Sequence, residues 1–306
     1  MKTAFIFTGQ GSQKVGMGRE FYEACKDAKE LLERASDECK MNFKHLLFEE
    51  NENLNKSEFT QPAIVLASLM SYLFIKQESG LKAEFALGHS LGEFSALAAQ
   101  GGFELVKVLE LVNFRGKFMQ EDCAQVPAGM MVVLGLEDSV VESICKEAQS
   151  KGKQIYAANY NCDGQIVVAG LKPDLSEFEA LFKERGAKRA MLLNMSVASH
   201  CPLLKNASAR LGELLESALN ENFAPVISNV SAKPYTSKSE ALNLLKEQLI
   251  KPVLYKQSIA NSQDSVDCFV EFGASVLAGL NKKITPKPTY AISSLAEAKE
   301  FLKVVK

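Results

Sequence analysis

Among its 306 residues the chain has no CxxC pair, no apolar run long enough to cross a membrane, no surplus of either charge and only three histidines. Each absence removes a class of protein. The seven cysteines, Cys25, Cys39, Cys123, Cys145, Cys162, Cys201 and Cys268, are scattered, which argues against zinc ribbons and disulfide frameworks and fits a reducing compartment. No metal site is expected. With 35 Lys+Arg against 37 Asp+Glu there is no global field to hold nucleic acid or an anionic membrane surface, so neither is expected as a partner. The most apolar stretch, Ala63 to Ile75, is interrupted by Ser68 and Ser71 and is shorter than the ~20 residues a bilayer span requires, so it reads as a buried helix. Met1-Lys2-Thr3 runs straight into a strand pattern without the features of a secretory signal, and a cytoplasmic location is expected. A nucleotide-binding module is suggested by Gly9-x-Gly11, but position 14 is Lys where the third glycine of GxGxxG would stand, and no Gly-Lys-Ser/Thr P-loop is present.

What is present is a repeated order of strand, glycine turn and helix. An apolar strand, Thr3 to Phe7, is broken at Thr8-Gly9-Gln10-Gly11-Ser12-Gln13 and followed by a helix from about Arg19 to Cys39. A long helix begins near Pro62, which suits a first turn, and a second strand, Glu84 to Leu87, leads through Gly88-His89-Ser90-Leu91-Gly92 into the helical Glu93 to Gln100. This repetition predicts an α/β core with a mainly parallel sheet. From about Pro127 the texture changes to strand Met130–Leu136, helix Asp138–Ser150, strands Gln154–Asn159 and Gln165–Ala169, helix Asp174–Arg185 and strand Arg189–Met195. That β-α-β-β-α-β order is the ferredoxin-like unit, read here as a small inserted domain over 127–196. Residues 1–126 and 197–306 then form one discontinuous large domain. Its second part is expected to hold a helix from Leu203 to Asn220, a strand Val226–Asn229, a helix Ser239–Leu249, a strand Cys268–Phe272, and a last strand and helix.

Gly88-x-Ser90-x-Gly92 has the form of a nucleophile elbow, where a tight strand-to-helix turn leaves no room for side chains beside the serine. Ser90 would then stand at a helix N-terminus, with the Leu91 N–H available to an oxyanion. A serine needs a base. His89 adjoins it and points elsewhere in an elbow, and His45 lies in the apolar segment Phe43-Lys44-His45-Leu46-Leu47-Phe48, so His200 becomes the candidate by elimination. No acid is singled out as a third member, and His200 is followed by a third of the chain, unlike the late histidine of α/β-hydrolases. A backbone or amide carbonyl could orient its Nδ1–H instead. Arg115 lies on a mostly buried helix and needs an anion, either a structural Asp or Glu or a substrate carboxylate. A serine thioesterase or hydrolase using Ser90 and His200 is the alternative reading.

Taken together, Gly9-Gln10-Gly11-Ser12-Gln13, Gly88-His89-Ser90-Leu91-Gly92-Glu93, Arg115-Gly116-Lys117-Phe118-Met119-Gln120, Ser199-His200-Cys201, Glu247-Gln248-Leu249 and Glu271-Phe272-Gly273 resemble the malonyl-CoA:acyl carrier protein transacylases of fatty acid synthesis. The resemblance spans nearly the whole chain. It implies an α/β-hydrolase-like core with an inserted ferredoxin-like domain, no bound cofactor, a coenzyme A thioester as substrate, and malonyl-CoA and an acyl carrier protein as partners. It further implies that Ser90 takes the malonyl group with His200 as base, that the backbone N–H groups of Gln10 and Leu91 hold the oxyanion, that Arg115 pairs with the malonyl carboxylate, and that the main-chain carbonyl of Gln248 orients the histidine. Two positions depart from the family, Thr8 and Ala198, where proline is usual. A carrier protein is acidic, and Lys188 with Arg189, or Lys282 with Lys283, are the candidate landing clusters.

Overall fold

The computed structural model describes residues 1–195 and 197–305; Ser196 and Lys306, where two of the expected domain boundaries fall, lie outside the described residues. Among the described residues the chain forms ten strands: β1 Thr3–Phe7, β2 Phe85–Gly88, β3 Ala128–Leu134, β4 Ile155–Cys162, β5 Gln165–Leu171, β6 Arg189–Leu192, β7 Asn222–Ile227, β8 Pro234–Ser237, β9 Cys268–Phe272 and β10 Thr289–Ile292. They make two sheets.

The larger sheet runs in the order β10-β9-β1-β2-β7-β8, parallel except for β8, which pairs antiparallel with β7. β1 sits at its centre and is buried on both faces, as a parallel strand covered by helices must be. Phe5 and Phe7 point into the main core, and Ala4 and Ile6 into a second apolar cluster with Tyr255, Ile259 and Phe269. The main core is built around helix Ser57–Ser79, which packs along helix Leu105–Ala124. The apolar stretch within it is thus an interior helix, and 89% of its most apolar window is buried.

The smaller sheet, β4-β5-β3-β6, is antiparallel throughout and comes from one continuous stretch of chain in the order β-α-β-β-α-β. Alternation along β3 divides its two faces. Met131 and Val133 meet the helices Asp138–Ser150 and Lys172–Glu184 in a core of their own, while Ala128 and Met130 face the large core. The two sheets are stitched at one end. Tyr160 N donates to Val253 O at 2.9 Å, Val253 N donates to Ala158 O at 2.8 Å, and Lys256 pairs with Asp138 and with Asp163 of the β4–β5 turn.

Several expected boundaries move for identifiable reasons. The helix expected over 19–39 is two, Arg19–Ala24 and Lys26–Glu38, because Cys25 is extended. The long helix begins at Ser57, so Pro62 lies beyond its first turn; the Glu58 carbonyl that proline cannot serve accepts from Asn113 Nδ2 at 2.6 Å instead. β3 starts earlier than expected and stops before Gly135, whose φ is +88°. β7 stops at Ile227, before Asn229 turns toward the elbow. β8 and the helices Tyr255–Ser262 and Leu277–Asn281 were not expected; they are short and carry few periodic apolar positions.

Candidate active site

Ser90 stands between β2 and helix Gly92–Ala99, with φ at 54°, a left-handed conformation for a residue with a side chain. Such backbone costs on the order of 1–3 kcal/mol and must be held by its surroundings. Asn229 holds it: Oδ1 accepts from Ser90 N at 2.7 Å, and Nδ2 donates to Gly88 O at 2.6 Å. The flanking glycines are there for space. A Cβ on Gly88 would lie 1.9 Å from the Gly92 carbonyl carbon, and one on Gly92 would lie 2.0 Å from Phe7 O. The loop carrying Gln10 packs on the same turn, so that a Cβ on Gly9 would meet His89 O at 2.4 Å. The main-chain N–H groups of Gln10 and Leu91 donate to nothing among the described residues.

The structure brings His200 to Ser90. Its Nε2 is 2.7 Å from Ser90 Oγ, and its Nδ1 is 2.6 Å from the main-chain oxygen of Gln248. A carbonyl only accepts, so Nδ1 carries the proton and Nε2 is left to receive the serine's. Burial, then the nearby Arg115 cation, push the imidazole down to about 3, so it is neutral near pH 7. The other two histidines are placed elsewhere. His45 is exposed and bonds Glu49 at 2.8 Å, and His89 is half-buried with its Nε2 2.7 Å from Asn161 Oδ1. Cys201 is packed in the interior, its thiol pushed up to about 12 by burial.

Arg115 is only 1% exposed, and its guanidinium reaches three neutral groups: Gln61 Oε1 at 2.9 Å, Gln248 Oε1 at 3.1 Å and Ser90 Oγ at 3.4 Å. Its Nε has no partner among the described residues. Burial drags this guanidinium down to about 10, and the buried Glu93 opposes the fall through space. The sequence patterns singled out neither Gln61 nor Asn229, and named Glu93 only as the end of the elbow motif. A polar residue amid the apolar face of helix Ser57–Ser79 was the one signal available for Gln61.

A cavity of about 890 Å³ opens between the two sheets, lined by Gln10, Gln13, Asn55, His89, Asn159, Asn161 and Gln165 among others. Its lining holds amides and hydroxyls, apolar side chains, no carboxylate, and one cation, Lys172. Lys282 and Lys283 directly follow helix Leu277–Asn281, whose Leu277 and Leu280 line this cavity. Lys188 and Arg189 are farther off, at the opposite end of β6 from the lining residues Leu193 to Met195.

A hydroxyl held against a neutral imidazole can attack a carbonyl carbon, and this is the class of site that an acyltransferase requires. A model of the acyl transferase domain matches residues 4–283. The chain is 38% identical over 300 residues to the malonyl CoA-acyl carrier protein transacylase of Bacillus subtilis, across 95% of this chain and 93% of that one. A crystal structure of the malonyl-CoA:acyl carrier protein transacylase from Helicobacter pylori matches with a TM-score of 0.96 and 45% identity, over 100% of this chain and 98% of that one. A malonyl-transacylase in complex with its type II PKS acyl-carrier protein matches at TM-score 0.95 and 32% identity, over 99% and 100% of the two chains. The chain belongs to the acyl transferase domain family, and it is an acyltransferase.

Proposed function

We propose that this acyltransferase moves malonyl from coenzyme A to the phosphopantetheine thiol of an acyl carrier protein, supplying fatty acid synthesis. The observation that carries the malonyl assignment is Arg115: a buried cation with only neutral partners, 3.4 Å from the nucleophile, lacks the anion that a malonyl carboxylate would bring. Ser90 Oγ attacks the thioester carbon while its proton passes to His200 Nε2. The Gln10 and Leu91 N–H groups take the oxyanion. Collapse breaks the C–S bond, and coenzyme A leaves with the proton from His200. The carrier thiol then gives its proton to His200 and attacks the malonyl ester, and the same proton returns to Ser90. Gln248 holds the imidazole through its main-chain oxygen, in place of a triad acid.

Residues 1–126 and 197–306 are read as an α/β-hydrolase-like catalytic domain, and 127–196 as a ferredoxin-like domain. The β4-β5-β3-β6 order supports the second assignment. Coenzyme A enters as a thioester substrate, and the chemistry calls for no bound cofactor. The enzyme works in the cytoplasm, and its carrier docks at a basic cluster, Lys282 with Lys283 beside the cavity being better placed for this than Lys188 with Arg189.

Intact-mass spectrometry tests the reading. Protein incubated with malonyl-CoA gains one malonyl group, Ser90→Ala gains none, and reduced-thiol carrier protein discharges the adduct. Malonate released to water in its place would make the protein a thioesterase.

A further inference from the structure

We propose that Glu93 is a positioning residue for the transfer, one buried carboxylate that holds both halves of the Ser90–His200 site in register. The proposal rests on the acyl-transfer reading above and assigns the motif residue that reading leaves unused.

Glu93 lies in the first turn of helix Gly92–Ala99 and is fully buried. Its Oε1 accepts from Tyr235 OH at 2.9 Å, and its Oε2 accepts from Asn229 N at 3.1 Å and Gln248 Nε2 at 2.7 Å. Each of the last two contacts leads to the reacting atoms. Asn229 is the residue that holds Ser90 N and Gly88 O, so this arm fixes the elbow. The Gln248 amide is held through both its ends: Nε2 donates also to Ser90 O at 2.9 Å, which turns Oε1 toward Arg115 Nη2. The main-chain oxygen of the same residue receives His200 Nδ1–H. An amide presents its oxygen to Arg115 when its NH₂ faces acceptors, and Glu93 is the charged one of the two, beside Ser90 O.

The helix carrying Glu93 packs against β1, β2, β7, helix Ser57–Ser79 and helix Leu105–Ala124. The titratable or charged groups that face the carboxyl are Arg115 from the last of these, Tyr235 from β8, and His200 across Gln248. Tyr72, on helix Ser57–Ser79, is bonded to Ala99 O at the far end of the helix. Burial pushes the Glu93 carboxyl up to about 7, against the hydrogen bonds from Gln248 and Tyr235 and the field of Arg115. As pH falls through that value the carboxylate is protonated and its hold on Gln248 weakens. His200 stays neutral far below this point, so the acid limb of the rate profile belongs to the carboxyl.

The test is a cycle of Glu93→Gln, Gln248→Leu and the double variant, with Glu93→Asp as the conservative change. Active sites are counted by the burst of malonyl-enzyme, so misfolded protein does not enter kcat. In Glu93→Gln a neutral amide oxygen takes the place of Oε2 toward Gln248 Nε2 and Asn229 N, with its NH₂ toward Tyr235 OH, so both contacts lose their charge and the hold on the Gln248 amide loosens. The expected result is a loss of about tenfold or more in kcat/KM for malonyl-CoA, with KM rising more for malonyl- than for acetyl-CoA. Glu93→Asp recovers part of the loss, and the acid limb disappears in Glu93→Gln. In the Gln248→Leu background the Glu93→Gln change costs less than it does in wild type, because only the Asn229 arm is left to lose. Additive losses, an unchanged acid limb, or equal changes in KM for the two donors would each overturn the role of Glu93. A wild-type protein with no burst would instead overturn the acyl-transfer reading beneath it.

Discussion

Replacing Arg115 by alanine separates recognition of the acyl group from the chemistry done on it. The side chain is buried, with Gln61 and Gln248 as its close partners and Glu93 acting on it only through space, so a malonyl carboxylate is the counter-charge it can bond directly. Truncating one partner of a buried, hydrogen-bonded charge pair costs about 2–5 kcal/mol. At about 1.4 kcal/mol per factor of ten, kcat/KM for malonyl-CoA falls between roughly 30- and 5,000-fold. Acetyl-CoA has no carboxylate to lose. Its kcat/KM changes only through the disturbance of Gln61 and Gln248, so the ratio of the two donors isolates the ion pair. Arg115→Lys keeps the charge but not the planar fork and recovers part of the malonyl rate. The assay is burst-corrected kcat/KM for both thioesters in wild type and both variants. Equal losses for malonyl and acetyl would refute the reasoning, because a merely structural arginine harms both alike.

Arg115→Met relieves the cost of a buried cation, and its unfolding free energy from urea titration should lie at or above that of wild type, by up to about 3 kcal/mol for a fall of this size. His200 sets a pH dependence of stability whose sign follows from its depressed value: the unfolded chain binds its proton below 6.5, the folded chain only near 3. Wild type therefore loses stability relative to His200→Gln as pH falls through that window, by several kcal/mol in order of magnitude, and parallel melts at pH 7 and pH 4 measure it. Gly88→Ala puts a methyl where Gly92 backbone lies and should fail to give soluble, cooperatively melting protein. Lys172 is the one cation among the described residues lining the cavity, which the phosphopantetheine arm common to both substrates would enter, so Lys172→Glu should raise KM for malonyl-CoA and for carrier alike, whereas reversing Lys282 and Lys283 should raise only that for the carrier; steady-state kinetics with each substrate varied distinguishes the two.

Features written in local sequence were readable in advance. The elbow was legible because close backbone packing tolerates only glycine, and both positions prove to lack room for a Cβ. The β-α-β-β-α-β order followed from periodicities that switch between two and 3.6. His200 could be named because only three histidines exist to choose from. The rest was hidden because its meaning arises across the fold. Gln248 reaches His200 with a main-chain oxygen, an atom every residue has, so the family resemblance could name it but no side-chain pattern could. Asn229 and Glu93 meet across 136 positions, where no spacing rule applies. Cys25 breaks a helix whose apolar period runs on through it.

The central strand of the large sheet is also the first to be synthesised. β1 needs β2 on one edge and β9 on the other, and β9 ends at Phe272. At about 5–20 residues per second, a translating ribosome leaves one edge of this apolar strand open for on the order of ten seconds to a minute. The smaller sheet has all its partners by Leu192 and can close long before. A premature stop anywhere between these points leaves a finished small sheet attached to an unpaired hydrophobic edge. Such a product should aggregate instead of persisting as a weakened enzyme.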